Sequence, residues 1–115
     1  MSAGTYKIWC EQGATFNLFF TWQDSNGTPY NLTNMTARMQ VRESKKSPTA
    51  IITLTSQNGD IILGGTAGTI SVNIAASQTA NLIPAQYVYD LEVVNSAIVT
   101  RLIEGAFVVD GEVTK

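Results

Sequence analysis

The sequence predicts an all-β fold: a two-sheet antiparallel β-sandwich with one short helical crossover, filling residues 1–115 as a single domain. Three observations carry this. Phe16, Leu18, Phe20 and Trp22 recur at every second position with Thr15, Asn17 and Thr21 between them, the period of a strand with one buried face. Turn chemistry punctuates the chain at short intervals, in Asp24-Ser25-Asn26-Gly27, Asn58-Gly59 and Gly64-Gly65-Thr66-Ala67-Gly68. Only residues 75–82 look helical, and Pro84 closes that stretch within two turns. A chain of 115 residues lies well below the roughly 250 at which one core splits into two.

Residues 6–10 read as a first strand. Its shortness leaves two registers open: Ile8 and Cys10 inward with Lys7 and Trp9 outward, or a one-residue step that buries Trp9, which is the preferred reading. Residues 16–22 form the strand around which the rest is expected to pack. Phe19 interrupts its polar face, which predicts that a loop, a sheet edge or another molecule covers that side. Met35, Ala37, Met39 and Val41 then alternate with Thr36, Arg38, Gln40 and Arg42, a half-buried strand with a basic outer face. Residues 43–48 make a solvated loop, and residues 50–55 the next strand. Residues 60–63 and 69–74 form a hairpin with Ile70, Val72 and Ile74 inward. Its glycines could suggest a phosphate cradle, but they join two strands and carry no Lys, so turn chemistry is the reading. Residues 75–82, with Ser77 as N-cap, cross between sheets.

The C-terminal third is a second hairpin. A two-residue turn at Asn95-Ser96 sets Tyr89 opposite Leu102, Val93 opposite Ile98 and Asp90 opposite Arg101, the last as a cross-strand ion pair. Glu104-Gly105 is expected to form a bulge, residues 106–109 to resume the sheet, and Asp110-Gly111-Glu112 to turn out of it.

Composition narrows the function. The chain is 44% hydrophobic but only 14% charged, with net charge −2, which disfavours nucleic acid and anionic membrane surfaces as partners. A surface this poor in charge suits cover by protein partners. The N-terminus lacks the pattern of a signal peptide, so synthesis in a cytoplasm is expected. There is no histidine, the commonest general base and metal ligand near neutral pH. Cys10 is the single cysteine and reads as a buried strand residue. Asp90, Glu92 and Glu104 are the available carboxylates, read as ion-pair partners of Arg101. Asp24-Ser25-Asn26-Gly27 fails as a calcium loop, since Pro29 and Met35 stand where Gly and the closing Glu belong. No catalytic residue, metal site or cofactor is expected.

Several stretches carry a resemblance. Gly13-Ala14-Thr15-Phe16 opens into an apolar strand, followed by Asp24-Ser25-Asn26-Gly27-Thr28-Pro29-Tyr30-Asn31-Leu32-Thr33 and by Ala37-Arg38-Met39-Gln40-Val41-Arg42. Tyr87-Val88-Tyr89-Asp90-Leu91-Glu92 and Arg101-Leu102-Ile103-Glu104-Gly105 complete the pattern. Together they resemble small virion proteins of tailed bacteriophages, in particular the immunoglobulin-like N-terminal domain of upper baseplate proteins and related tail-associated modules. The resemblance implies an immunoglobulin-like sandwich without catalysis, docking in several copies to a virion's tail, neck or baseplate. Its partners would be other virion proteins and copies of itself. A capsid cement or decoration protein is the alternative within that class. A carbohydrate-binding module stacking sugars on Trp9, Trp22 or Tyr30 is the competing class. Candidate interface residues are Tyr6, Trp9, Phe19, Arg38 and Arg42, with residues 1–10 expected to be a contact arm removable without unfolding the domain.

Overall fold

The computed structural model describes residues 4–111. The strands are β1 (Gly4–Thr5), β2 (Ile8–Glu11), β3 (Phe16–Thr21), β4 (Thr36–Arg42), β5 (Ile52–Thr55), β6 (Ile61–Leu63), β7 (Thr69–Ile74), β8 (Ala85–Asn95) and β9 (Ile98–Asp110). One helical turn, α1 (Ala76–Thr79), separates β7 from β8. They form two packed sheets. The larger runs β1-β9-β8-β4-β5, with β2 also on β9, and the smaller runs β3-β7-β6. The chain is therefore an all-β protein, and α1 carries it from the small sheet to the large one.

Alternation decides the core. Ala37, Met39 and Val41 of β4, Leu91 and Val93 of β8, and Ile70, Val72 and Ile74 of β7 are buried between the sheets, as their period-two spacing requires. Phe107 sits at the centre, edge-on to Phe16 at 6.3 Å and to Tyr89 at 6.4 Å. Thr79 plugs the crossover: its buried hydroxyl donates to the Ala14 carbonyl at 2.7 Å, tying α1 to the turn before β3.

Several expectations are corrected. The strand at residues 16–22 is not central: β3 is an edge strand of the small sheet, and Phe16, Leu18 and Phe20 stay half-buried because no neighbour closes that side among the described residues. Trp22 lies just beyond it, half-buried against Tyr30 with ring centroids 4.3 Å apart. The first strand takes the register with Trp9 outward, because Ile8 and Cys10 fill the core beside Phe107. It is also no removable arm. β1 and β2 pair with β9 in parallel rather than antiparallel, from Gly4 on Ile103 to Glu11 on Asp110, and the buried Ile8 and Cys10 belong to the common core. Parallel pairing is open to them because the whole sandwich, not a hairpin, connects these strands to their partner.

In the β8–β9 hairpin the turn falls on Ser96-Ala97, with Ser96 at φ 55°, so Asn95 pairs with Ile98, Val93 with Thr100 and Glu92 with Arg101. The expected register fails because the long arginine side chain reaches carboxylates on either side of its own position. The irregularity lies at Leu102 instead of Glu104-Gly105: Glu92 faces Arg101 while Leu91 faces Ile103. Gly105, at φ 153°, has another duty, since the Tyr6 backbone passes directly over it. Ser77 does not cap α1; the Gln78 side chain accepts from the Ala75 N–H at 3.1 Å instead. Glu112 lies outside the described residues.

Candidate interaction surfaces

Two sheets give two outer faces, and their chemistry differs. On the large sheet the outward residues of β4, β8 and β9 build a charge network. Arg38 Nε donates to Glu92 Oε1 at 2.8 Å. Arg101 reaches three carboxylates, with Nε 3.6 Å from Asp90 Oδ2, Nη2 3.8 Å from Glu92 Oε2 and Nη1 3.6 Å from Glu104 Oε1. Lys45, from the loop after β4, extends the chain to Glu104 at 3.8 Å. Arg42 turns back on its own loop, donating to the Ser47 carbonyl at 2.7 Å and to Gln40 Oε1 at 2.8 Å. These groups ring an open depression of about 410 Å³ lined by Gln40, Arg42, Lys45, Asp90, Arg101 and Glu104.

Electrostatics at the depression follow from crowding. Burial, and then the neighbouring Glu92, push the Asp90 carboxyl above its usual range, with Glu104 adding to them; Arg101 and Arg42 pull the other way and lose. Beneath it, burial and then Tyr6 raise the Tyr89 phenol, so it stays protonated and donates to the Tyr6 carbonyl at 2.5 Å. Burial, and then Glu11, likewise push the Cys10 thiol up, leaving it a core side chain without thiolate character. The arrangement can present an open polar depression, its charges mostly ion-paired, to a partner.

The small sheet's outer face is uncharged across its paired rows. Phe19 of β3, Ser71 of β7 and Ile62 of β6 stand in one row, flanked by Asn17 beside Asn73 and by Thr21 beside Thr69. The Asn17 side-chain amide donates to Asn73 Oδ1, linking the two strands. Phe19 is 63% exposed and Ile62 58%. No element of the described chain covers Phe19, so of the three covers expected (a loop, a sheet edge or another molecule) the described residues supply neither of the first two.

A third surface runs along the β1–β2 edge. Tyr6 is 51% exposed and Trp9 57%, and Lys7 Nζ sits 4.6 Å from the centre of the Trp9 ring. The five candidate interface residues thus divide among three surfaces: Tyr6 and Trp9 on the parallel edge, Arg38 and Arg42 on the large sheet, Phe19 on the small one. Asp90 and Arg101 come together on the large sheet, Arg101 sharing its charge with Glu92 and Glu104. Reading the sequence missed Ile62, although Ile61 inward on a three-residue strand forces Ile62 outward. It also missed Lys45 closing over Glu104, a contact made by a loop that carries no periodic signal.

Among the described residues no group of three or more His, Cys, Asp or Glu is placed to hold a metal ion, and no helix is long and apolar enough to cross a membrane. No protein-family model matches this chain, and no curated protein matches it.

Proposed function

We propose that this protein is a non-enzymatic structural component of a tailed-bacteriophage virion, an immunoglobulin-like adaptor that docks in several copies to the tail, neck or baseplate. Two features support the immunoglobulin-like part. The order β9-β8-β4-β5 over β3-β7-β6 is compatible with the G-F-C-C′ and B-E-D strands of that fold, while β1 and β2 depart from its ABED sheet by lying beside β9. Tyr87, at the start of the strand after the crossover, donates its hydroxyl to the Ile83 carbonyl four residues upstream at 2.6 Å, the arrangement known as a tyrosine corner.

The observation that carries the assembly role is the distribution of exposed apolar side chains. Trp9 and Tyr6, Phe19 and Ile62, Ile83, and Ile98 with Val99 protrude from separate surfaces of a small domain. Such a pattern fits a protein held by neighbours on several sides. Immunogold electron microscopy of phage particles from the source culture, with antibody against this chain, tests the reading. Gold at the tail or neck is the expected result. Gold over the head moves the protein to a capsid cement role, and bare particles with an accessible epitope overturn the virion assignment. The exposed Trp9 favours one second reading, a sugar-stacking platform on its free ring face. Binding on a glycan array that disappears in Trp9→Ala would establish it.

A further inference from the structure

The geometry points to a second copy of this chain as the partner of the open β3 edge, added as an antiparallel strand about a two-fold axis at Phe19. This rests on the multi-copy role proposed above and names a surface through which copies would meet. Among the described residues β3 pairs with β7 on one side only. Its sequence, Phe-Asn-Leu-Phe-Phe-Thr, contains none of the charges, prolines or bulges by which edge strands are usually protected. The other free edges are poorer templates: β6 has three residues and β5 four, while the β1–β2 edge is interrupted at Tyr6-Lys7. Burial adds a second argument. Phe16, Leu18 and Phe20 point inward yet stay half-exposed, whereas their β7 partners Ile74, Val72 and Ile70 are fully buried, so the sandwich is left unclosed along β3.

The occupant follows from register and charge. Trp22 N–H donates to the Gly68 carbonyl at 2.8 Å, and by alternation Phe20, Leu18 and Phe16 turn their backbone groups toward β7. Asn17, Phe19 and Thr21 therefore offer theirs to the open side. A two-fold at Phe19 pairs these three groups with the same three on another copy, Phe19 opposite Phe19 and Asn17 opposite Thr21, and places Leu18 against Phe20 on the inner face. The strand is thus self-complementary, as a two-fold interface requires. Every outward residue of β3 and β7 is neutral, so the copies meet without like-charge opposition, while the charged face of the large sheet points away.

Sedimentation equilibrium of the full chain tests this, with expected monomer–dimer behaviour. Phe19→Lys should weaken the dimer at least about tenfold, while Ile62→Lys, the same charge change on the same face but away from the edge, should leave it intact. A disulfide readout keeps the test decisive if Phe19→Lys folds poorly. In a Cys10→Ser background, Phe19→Cys should cross-link on mild oxidation, because residues opposite each other in a hydrogen-bonded antiparallel pair have Cα atoms about 5.5 Å apart. Thr21→Cys should not, since its two copies would lie about 13 Å apart along the ladder. A dimer that survives Phe19→Lys, or cross-links through Thr21→Cys in preference, overturns the pairing. A chain that stays monomeric at about 0.5 mM also overturns it. That failure leaves the virion reading to the immunogold experiment, which does not depend on it.

Discussion

Replacing Gly105, within β9, with alanine should do more damage than replacing a glycine in an open turn such as Gly59. Gly105 lies within β9 at φ 153°, and a Cβ built there would sit 2.7 Å from the Tyr6 carbonyl oxygen and 3.3 Å from its carbon. The obstacle is backbone, not a side chain that can swing away. Relief requires Tyr6 to move, and two bonds anchor Tyr6: its N–H donates to the Glu104 carbonyl at 3.0 Å, and its carbonyl accepts from the Tyr89 hydroxyl at 2.5 Å. Holding an L-residue at such a φ costs about 1–3 kcal/mol. Loss of the Tyr89 bond costs about 1–3 kcal/mol more, because a buried hydroxyl is then unpaired. A destabilisation of about 2–6 kcal/mol follows, a large share of the roughly 5–15 kcal/mol that holds such a domain together, and Tm should fall by roughly 10–25 °C. Gly59→Ala is the control: Gly59 has φ 90° but nothing within 4 Å of a Cβ, so only the backbone term of about 1–2 kcal/mol applies. Urea unfolding followed by tryptophan fluorescence measures both. If the two variants fall within about 1 kcal/mol of each other, the claim that Gly105 exists to admit the Tyr6 backbone alongside β9 is refuted.

Tyr87→Phe removes the hydroxyl that bonds the Ile83 carbonyl and should cost about 1 kcal/mol in the same assay, with the ring's packing unchanged; no loss would show that the bond does not hold the crossover. For Asp90 the folded carboxyl titrates above its unfolded value, so the folded state binds the extra proton and this group's contribution to stability falls as pH rises through that window. Asp90→Asn removes that dependence and should therefore compare better with the wild type at pH 7 than at pH 4; an equal difference in urea midpoint at both values would contradict the crowding described for the depression. Cys10 should react with a thiol reagent only as fast as the domain opens, and labelling of the native protein at the rate of a free thiol would place it outside the core.

How much of this was legible in the sequence depended on where the deciding interaction lay. Period-two alternation is a local signal, and it placed β4, β7 and the inward faces of β8 correctly because each of those strands has neighbours on both sides. The same signal in Phe16, Leu18 and Phe20 gave the right face but the wrong position, since alternation reports which residues point inward and not whether a strand sits in the middle of a sheet or at its rim. The parallel seating of β1 and β2 on β9 joins residues about a hundred positions apart, with no turn between them to mark it. Trp9 was harder still. In a four-residue strand the choice of face is made by tertiary packing: Ile8 and Cys10 join the buried core with Phe107, and Trp9 is left outward. Hairpin register failed for a different reason: ion pairing was used to choose it, yet Arg101 satisfies Asp90, Glu92 and Glu104 together, so charge does not discriminate between registers there.

That last point also bears on where the molecule can be held. Three of its seven Lys and Arg residues, Arg38, Lys45 and Arg101, share the carboxylates of Asp90, Glu92 and Glu104 on the large sheet, and Arg42 is held by Gln40 and the Ser47 carbonyl. Exposed pairs of this kind add little stability, typically about 0–1 kcal/mol each. What they do is neutralise one face internally, so that a partner docking there would have to displace existing pairs to gain any. The small sheet has no such arrangement: its outer rows are uncharged, two large apolar side chains stand clear of it, and its edge strand is unprotected. Association at that side costs no ion pairs and gains both ladder hydrogen bonds and apolar burial. In the dimer proposed above, the uneven division of charge between the two faces favours pairing at β3, and a domain whose Phe19 and Ile62 were both replaced by lysine should keep its fold while losing that preference.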